Sequence, residues 1–75
     1  MKLCMIGVRG HNGYVLAGLE KLPQVHLVGL SPGTDEDSVE PLRLWAEDHG
    51  HTPEVVEDYR EMLDRLEPDI VSICA

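Results

Sequence analysis

Basic residues are scarce in this 75-residue chain: six lysines and arginines stand against fourteen acidic residues, for a net charge of −8 and a pI near 4.7. Nucleic acid and anionic lipid are both gripped through a surplus of Lys and Arg, so this balance argues against either as a partner. Cysteine is equally sparse. Cys4 and Cys74 cannot build a multi-bridge framework, and both sit inside apolar runs, which reads as buried, reduced thiol in an intracellular setting. No apolar stretch approaches the ~20 residues that span a bilayer. The N-terminus, Met1 to Gly7, carries one basic residue and a short apolar run ending in glycine. A signal peptide needs a longer apolar region and a small-residue cleavage site. A cytoplasmic location is the expectation.

The 43% apolar content is ordinary for a globular chain and argues against disorder. At this length there is one folding unit at most, and folding hides only about 60% of the surface of the extended chain. Leu3 to Ile6 is a short apolar run bounded by glycine, the pattern of a buried strand. After a glycine-rich turn, Val15, Leu16, Leu19 and Leu22 recur at helical spacing until Pro23 forbids continuation. Val25 to Leu30 is a second strand, closed by Ser31-Pro32-Gly33. Strand, loop, helix and strand together take about thirty residues, the length of a βαβ unit.

The second half repeats the alternation. Asp35-Glu36-Asp37-Ser38 places acidic residues and a capping side chain where a helix start favours them. Val39, Leu42, Trp45, Ala46 and His49 fall on one face, with Gly50 as the C-cap. Thr52 to Val56 is a weak third strand, interrupted by Pro53 and so expected near an edge. Asp58 to Glu61 has the spacing of a capping box. Met62, Leu63 and Leu66 give the helix that follows a buried face, and Pro68 stops it. Asp69 to Ala75 reads as a fourth strand rich in β-branched residues. Strands alternating with helices predict an α/β fold: a Rossmann-like parallel sheet (β-α-β-α-β-α-β) with right-handed crossovers and strand order 3-2-1-4, half of a doubly wound domain. Its fourth strand ends with an uncovered apolar edge, which invites pairing. Either a fragment of a larger protein or an obligate dimer is expected.

Three glycines, Gly7, Gly10 and Gly13, form G-x-x-G-x-x-G between a predicted strand and a predicted helix. A diphosphate reaches a helix N-terminus only where side chains do not intrude, and the free N–H groups there favour anions. Gly7 permits the turn, Gly10 the close approach and Gly13 the packing of helix on strand, while Arg9 and His11 add charge or hydrogen bonds beside the phosphates. The common dinucleotide pattern G-x-G-x-x-G wants glycine where Val8 stands. The alternative is that these glycines only make a tight turn. About twenty residues downstream, where an acidic side chain normally holds the NAD ribose, stands Ser31, and no arginine follows to mark NADP. Ser31 and Thr34 can hydrogen-bond a ribose or a 2′-phosphate, and Asp35 can reach back, or the segment is merely a turn. The choice between NAD and NADP stays open.

The segments Lys2-Leu3-Cys4-Met5-Ile6-Gly7, Gly10-His11, Glu57-Asp58-Tyr59-Arg60-Glu61-Met62-Leu63 and Pro68-Asp69-Ile70-Val71-Ser72-Ile73 resemble the N-terminal region of the glucose–fructose oxidoreductase/inositol dehydrogenase (Gfo/Idh/MocA) family. The resemblance covers nearly the whole chain. It implies that residues 1–75 are the N-terminal part of an NAD(P)-binding Rossmann domain, from an oxidoreductase that transfers hydride to or from a sugar, polyol or related small molecule. Carried over by position, the turn Gly7-Val8-Arg9-Gly10-His11-Asn12-Gly13 lines the diphosphate, Ser31 lies near the adenosine ribose, and Cys74 and Ala75 lie beside the cofactor. The family's catalytic lysine and its substrate domain lie beyond these residues, so the resemblance implies binding without turnover and assigns no catalytic residue here. The longer glycine spacing is similar to that of dihydrodipicolinate reductases and of N-acetylglutamyl-phosphate and aspartate semialdehyde dehydrogenases, which keep the cofactor class. It is also similar to that of CoA-binding domains of the succinyl-CoA synthetase type, which implies a binding module without catalysis. A homo-oligomer is expected in either case.

Other constellations weigh less. His49-Gly50-His51 with Asp48 lacks the converging third and fourth ligands of a zinc site, and a solvated helix end explains it. Cys4 and Cys74 lie on strands expected to be neighbours, but cytosolic thiols stay reduced. The acidic run at 35–37 suits capping and solubility better than a cation, and Trp45 reads as core.

Overall fold

The computed structural model describes residues 1–7, 12–33 and 38–73. Their elements are β1 (Lys2–Ile6), α1 (Asn12–Lys21), β2 (His26–Ser31), α2 (Glu40–Asp48), β3 (Glu54–Val55), α3 (Tyr59–Leu66) and β4 (Ile70–Ile73). The strands form one sheet in the order β3-β2-β1-β4, every described pair parallel. This is the order that the alternation of strand and helix patterns predicts.

Alternation along β1 divides the interior in two. Leu3 and Met5 join Leu19 of α1 and Leu42 and Ala46 of α2 in the larger apolar cluster. Cys4 and Ile6 point the other way and meet Val56 and Met62, with Leu63 and Leu66 of α3 packed alongside. So α1 and α2 cover one face and α3 the other, which hides both faces of β1 as a central parallel strand requires. A register shift separates the pairs Leu3–Leu27 and Cys4–Gly29. Val28 is the extra residue, and the bulge returns Leu30 to the same cluster as Leu27. Gly29 then faces α3 at such close range that a Cβ there would stand 2.7 Å from Leu66 Cδ1 and 2.9 Å from Cys4 Sγ.

The helix ends follow local chemistry. Asp58 caps α3, its carboxylate accepting from the Arg60 amide at 2.9 Å. Glu61 faces Arg65 one turn on. At the end of α2, Gly50 has φ +86°, its N–H donates to Glu47 and that of His51 donates to Ala46. Those paired bonds are the Schellman arrangement, in which a left-handed residue is best supplied by glycine. The start of α2 differs from expectation. The helix begins at Glu40 after Val39, and no side chain caps it. Had Ser38 been the cap, the amide three residues on would belong to Pro41, which has none to give. Residues 35–37 of the expected acidic start lie outside the described residues. Leu22, the last of the four apolar residues at helical spacing, stands just past α1 and is 46% exposed.

The two edges of the sheet are unlike. β3 is two residues long beside Pro53, whereas β4 leaves Val71 39% and Ile73 70% exposed. Cys4 is a buried free thiol whose pKa burial pushes up, with Lys2 acting weakly against it. Cys74 lies outside the described residues. No described helix is long and apolar enough to cross a membrane.

Candidate dinucleotide site

The connectivity creates a switch point. From β1 the chain moves through β2 to β3 on one side of the sheet, and from β3 it returns to β4 on the other side of β1. The carboxyl ends of β1 and β4 therefore meet at the topological switch point, the place where ligands of open α/β sheets bind. Gly7 stands at this point. It is buried, and its φ of +85° turns the chain out of the strand through a conformation that costs an L-residue about 1–2 kcal/mol. Five residues after Gly7, α1 begins at Asn12. Strand, left-handed glycine and helix N-terminus thus follow one another as an anion site requires.

The Gly7 amide donates to the Ser31 carbonyl at 2.8 Å, which joins the ends of β1 and β2. Ser31 is fully buried. Its hydroxyl donates to the Glu57 carbonyl at 3.2 Å, tying β2 to the segment between β3 and α3. The sequence places Ser31 at the end of β2, where the structure has it, but gives no sign of that bond, because Glu57 is 26 positions away. The side chain is therefore a strut for the strand end.

Of the expected site residues, Gly7 and Ser31 are brought together, and Asn12 and Gly13 form the first turn of α1. Val8, Arg9, Gly10, His11, Cys74 and Ala75 lie outside the described residues, as do Thr34 and Asp35. Ile73, immediately before Cys74, pairs with Ile6, immediately before Gly7.

The sequence reads His49 and His51 as a solvated helix end and gives no sign that His26 joins them at the opposite end of the sheet. His26 opens β2, and His49 and His51 follow α2. Together with Trp45 and Glu20 they line a cleft of ≈ 330 Å³. The His49 ring stacks on Trp45 at 4.1 Å. Among the described residues no group of three His, Cys, Asp or Glu is arranged to hold a metal ion.

No protein-family model matches the chain, and no curated protein matches it. A solved structure from Thermotoga maritima, described as a "putative oxidoreductase", is similar over 100% of this chain, with a TM-score of 0.84 and 31% sequence identity. The chain spans 22% of that protein's length.

Proposed function

We propose that this chain is the nicotinamide-dinucleotide-binding part of an oxidoreductase, with the turn from Gly7 to Gly13 receiving the cofactor diphosphate. One observation carries the reading: a buried, left-handed Gly7 follows the central strand at the switch point, five residues ahead of α1. The similarity to a "putative oxidoreductase" and the Gfo/Idh/MocA-like segments support it. When bound, NAD or NADP supplies a hydride acceptor or donor at the nicotinamide ring.

In this reading the helix N-terminus and the turn amides hold the diphosphate. Ser31 sets the end of β2 beside the adenosine ribose through its backbone, while its hydroxyl serves Glu57. The family resemblance assigns Cys74 and Ala75, which follow β4 in sequence, to the cofactor's side. The substrate is a sugar, polyol or related small molecule, held by parts of a longer protein. The exposed edge of β4 suits pairing with further polypeptide or with a second copy.

A calorimetric titration of the chain and its Gly10→Val variant with NADH tests the proposal. The variant is expected to remain folded by circular dichroism and to lose at least about tenfold in affinity, one step of 1.4 kcal/mol. Equal affinity in a folded variant would remove the turn from the binding site.

A further inference from the structure

Three of the four histidines gather at the amino end of the sheet, away from the glycine turn, and one has a bond whose direction fixes its proton. The Leu27 backbone N–H donates to His51 Nδ1 at 3.3 Å. A ring nitrogen that accepts must keep its lone pair, so the His51 proton sits on Nε2 and the ring is neutral. Leu27 is 1% exposed, and a buried amide without an acceptor is costly.

We propose that His51 is an acid-released latch that fastens the α2–β3 connection to the start of β2 through the Leu27 amide. Protonation at Nδ1 consumes the lone pair, so two N–H groups then face each other. The groups around the ring reinforce the effect. His26 of β2 meets it edge-on with ring centroids 6.2 Å apart, and His49 approaches from the end of α2. Among the described residues, Glu20 of α1 supplies the one carboxylate on the cleft wall, and it stands 3.3 Å from His49 Nε2. The Met1 ammonium lies at the adjoining start of β1, donating to the Gln24 carbonyl. Trp45 lies parallel to the ring at 6.4 Å and offers no acceptor for an added proton. Burial and the two neighbouring histidines hold the His51 pKa below the ordinary imidazole value. The His51 backbone stays tied to Ala46, so acid releases the ring from the cleft, and water takes its place at the Leu27 amide.

Amide hydrogen exchange of the full chain, followed by NMR from about pH 7.5 to about pH 5, reads the latch directly. After correction for intrinsic rates, Leu27 protection is expected to fall by up to about tenfold per pH unit through the titration of the ring. Met5, in the middle of the sheet, is expected to lose less, only the share that the fall in global stability brings. The variant His51→Asn keeps an acceptor near the place of Nδ1 without titrating, and is expected to make Leu27 protection independent of pH. Unchanged Leu27 protection in the wild type, equal loss at Met5 and Leu27, or the same acid loss in His51→Asn would each overturn the proposal. Should His51→Asn fail to fold, ring nitrogen shifts of the wild type at neutral pH decide. A proton on Nε2 supports the latch and a proton on Nδ1 overturns it.

Discussion

Gly7 and Ser31 are joined backbone to backbone, the Gly7 amide donating to the Ser31 carbonyl at 2.8 Å. The residue that turns the chain out of β1 is thereby fastened to the last residue of β2, and Ser31 is fastened in turn through its hydroxyl to Glu57. One chain of bonds thus fixes the carboxyl ends of β1 and β2 to each other and to the segment ahead of α3, and its two ends predict different consequences when cut.

At Gly7 the backbone is left-handed and the residue is buried. Gly7→Ala is expected to lower the stability of the fold by about 1–2 kcal/mol. Urea unfolding followed by circular dichroism measures it, and a variant as stable as the parent would contradict the strained turn.

Ser31→Ala leaves the Glu57 carbonyl without its donor inside the fold. The expected cost is about 1 kcal/mol of stability. Because the hydroxyl is committed to that bond, affinity for NADH is expected to change less than twofold, about 0.4 kcal/mol. A tenfold loss of affinity at unchanged stability would restore the side chain to the ribose.

Gly29 leaves no room for a larger residue, since a Cβ would lie 2.9 Å from both Cys4 Sγ and Met62 Sδ. Gly29→Val is expected to cost about 1–3 kcal/mol through overpacking. A neutral substitution, read as an unshifted urea midpoint, would mean that α3 yields freely.

Stability is expected to depend on pH through His51, whose folded pKa lies below its ordinary value. On acidification the unfolded ring takes up its proton first, near pH 6.5, so the unfolded state binds more protons and gains weight. Stability is therefore full above about pH 6.5 and falls as pH drops through the folded pKa. Urea midpoints measured across that window check the sign, and a rise in stability on acidification would contradict it.

Much of the fold was legible because it is written in local patterns. The apolar run before Gly7, the left-handed glycine at 50 and the cap at Asp58 each declare themselves within a few residues. Their alternation is enough to order the strands. What escaped depends on distant partners. The bulge at Val28 arises from register against β1, and the close approach at Gly29 from the packing of α3. The tie from Ser31 to Glu57 and the meeting of His26 with His51 each join residues about 25 positions apart. The start of α2 departs for a reason that lies partly in the local sequence: Pro41 takes away one of the two amides that a cap at Ser38 could engage.

The central claim is that the glycine turn binds a nicotinamide dinucleotide. Titrating the purified chain with NADH and with NADPH, while following energy transfer from Trp45 to the reduced nicotinamide and the fold by circular dichroism, tests it most directly. The account predicts saturable transfer on a folded chain, with one of the two cofactors bound more tightly. A folded chain that binds neither would contradict it.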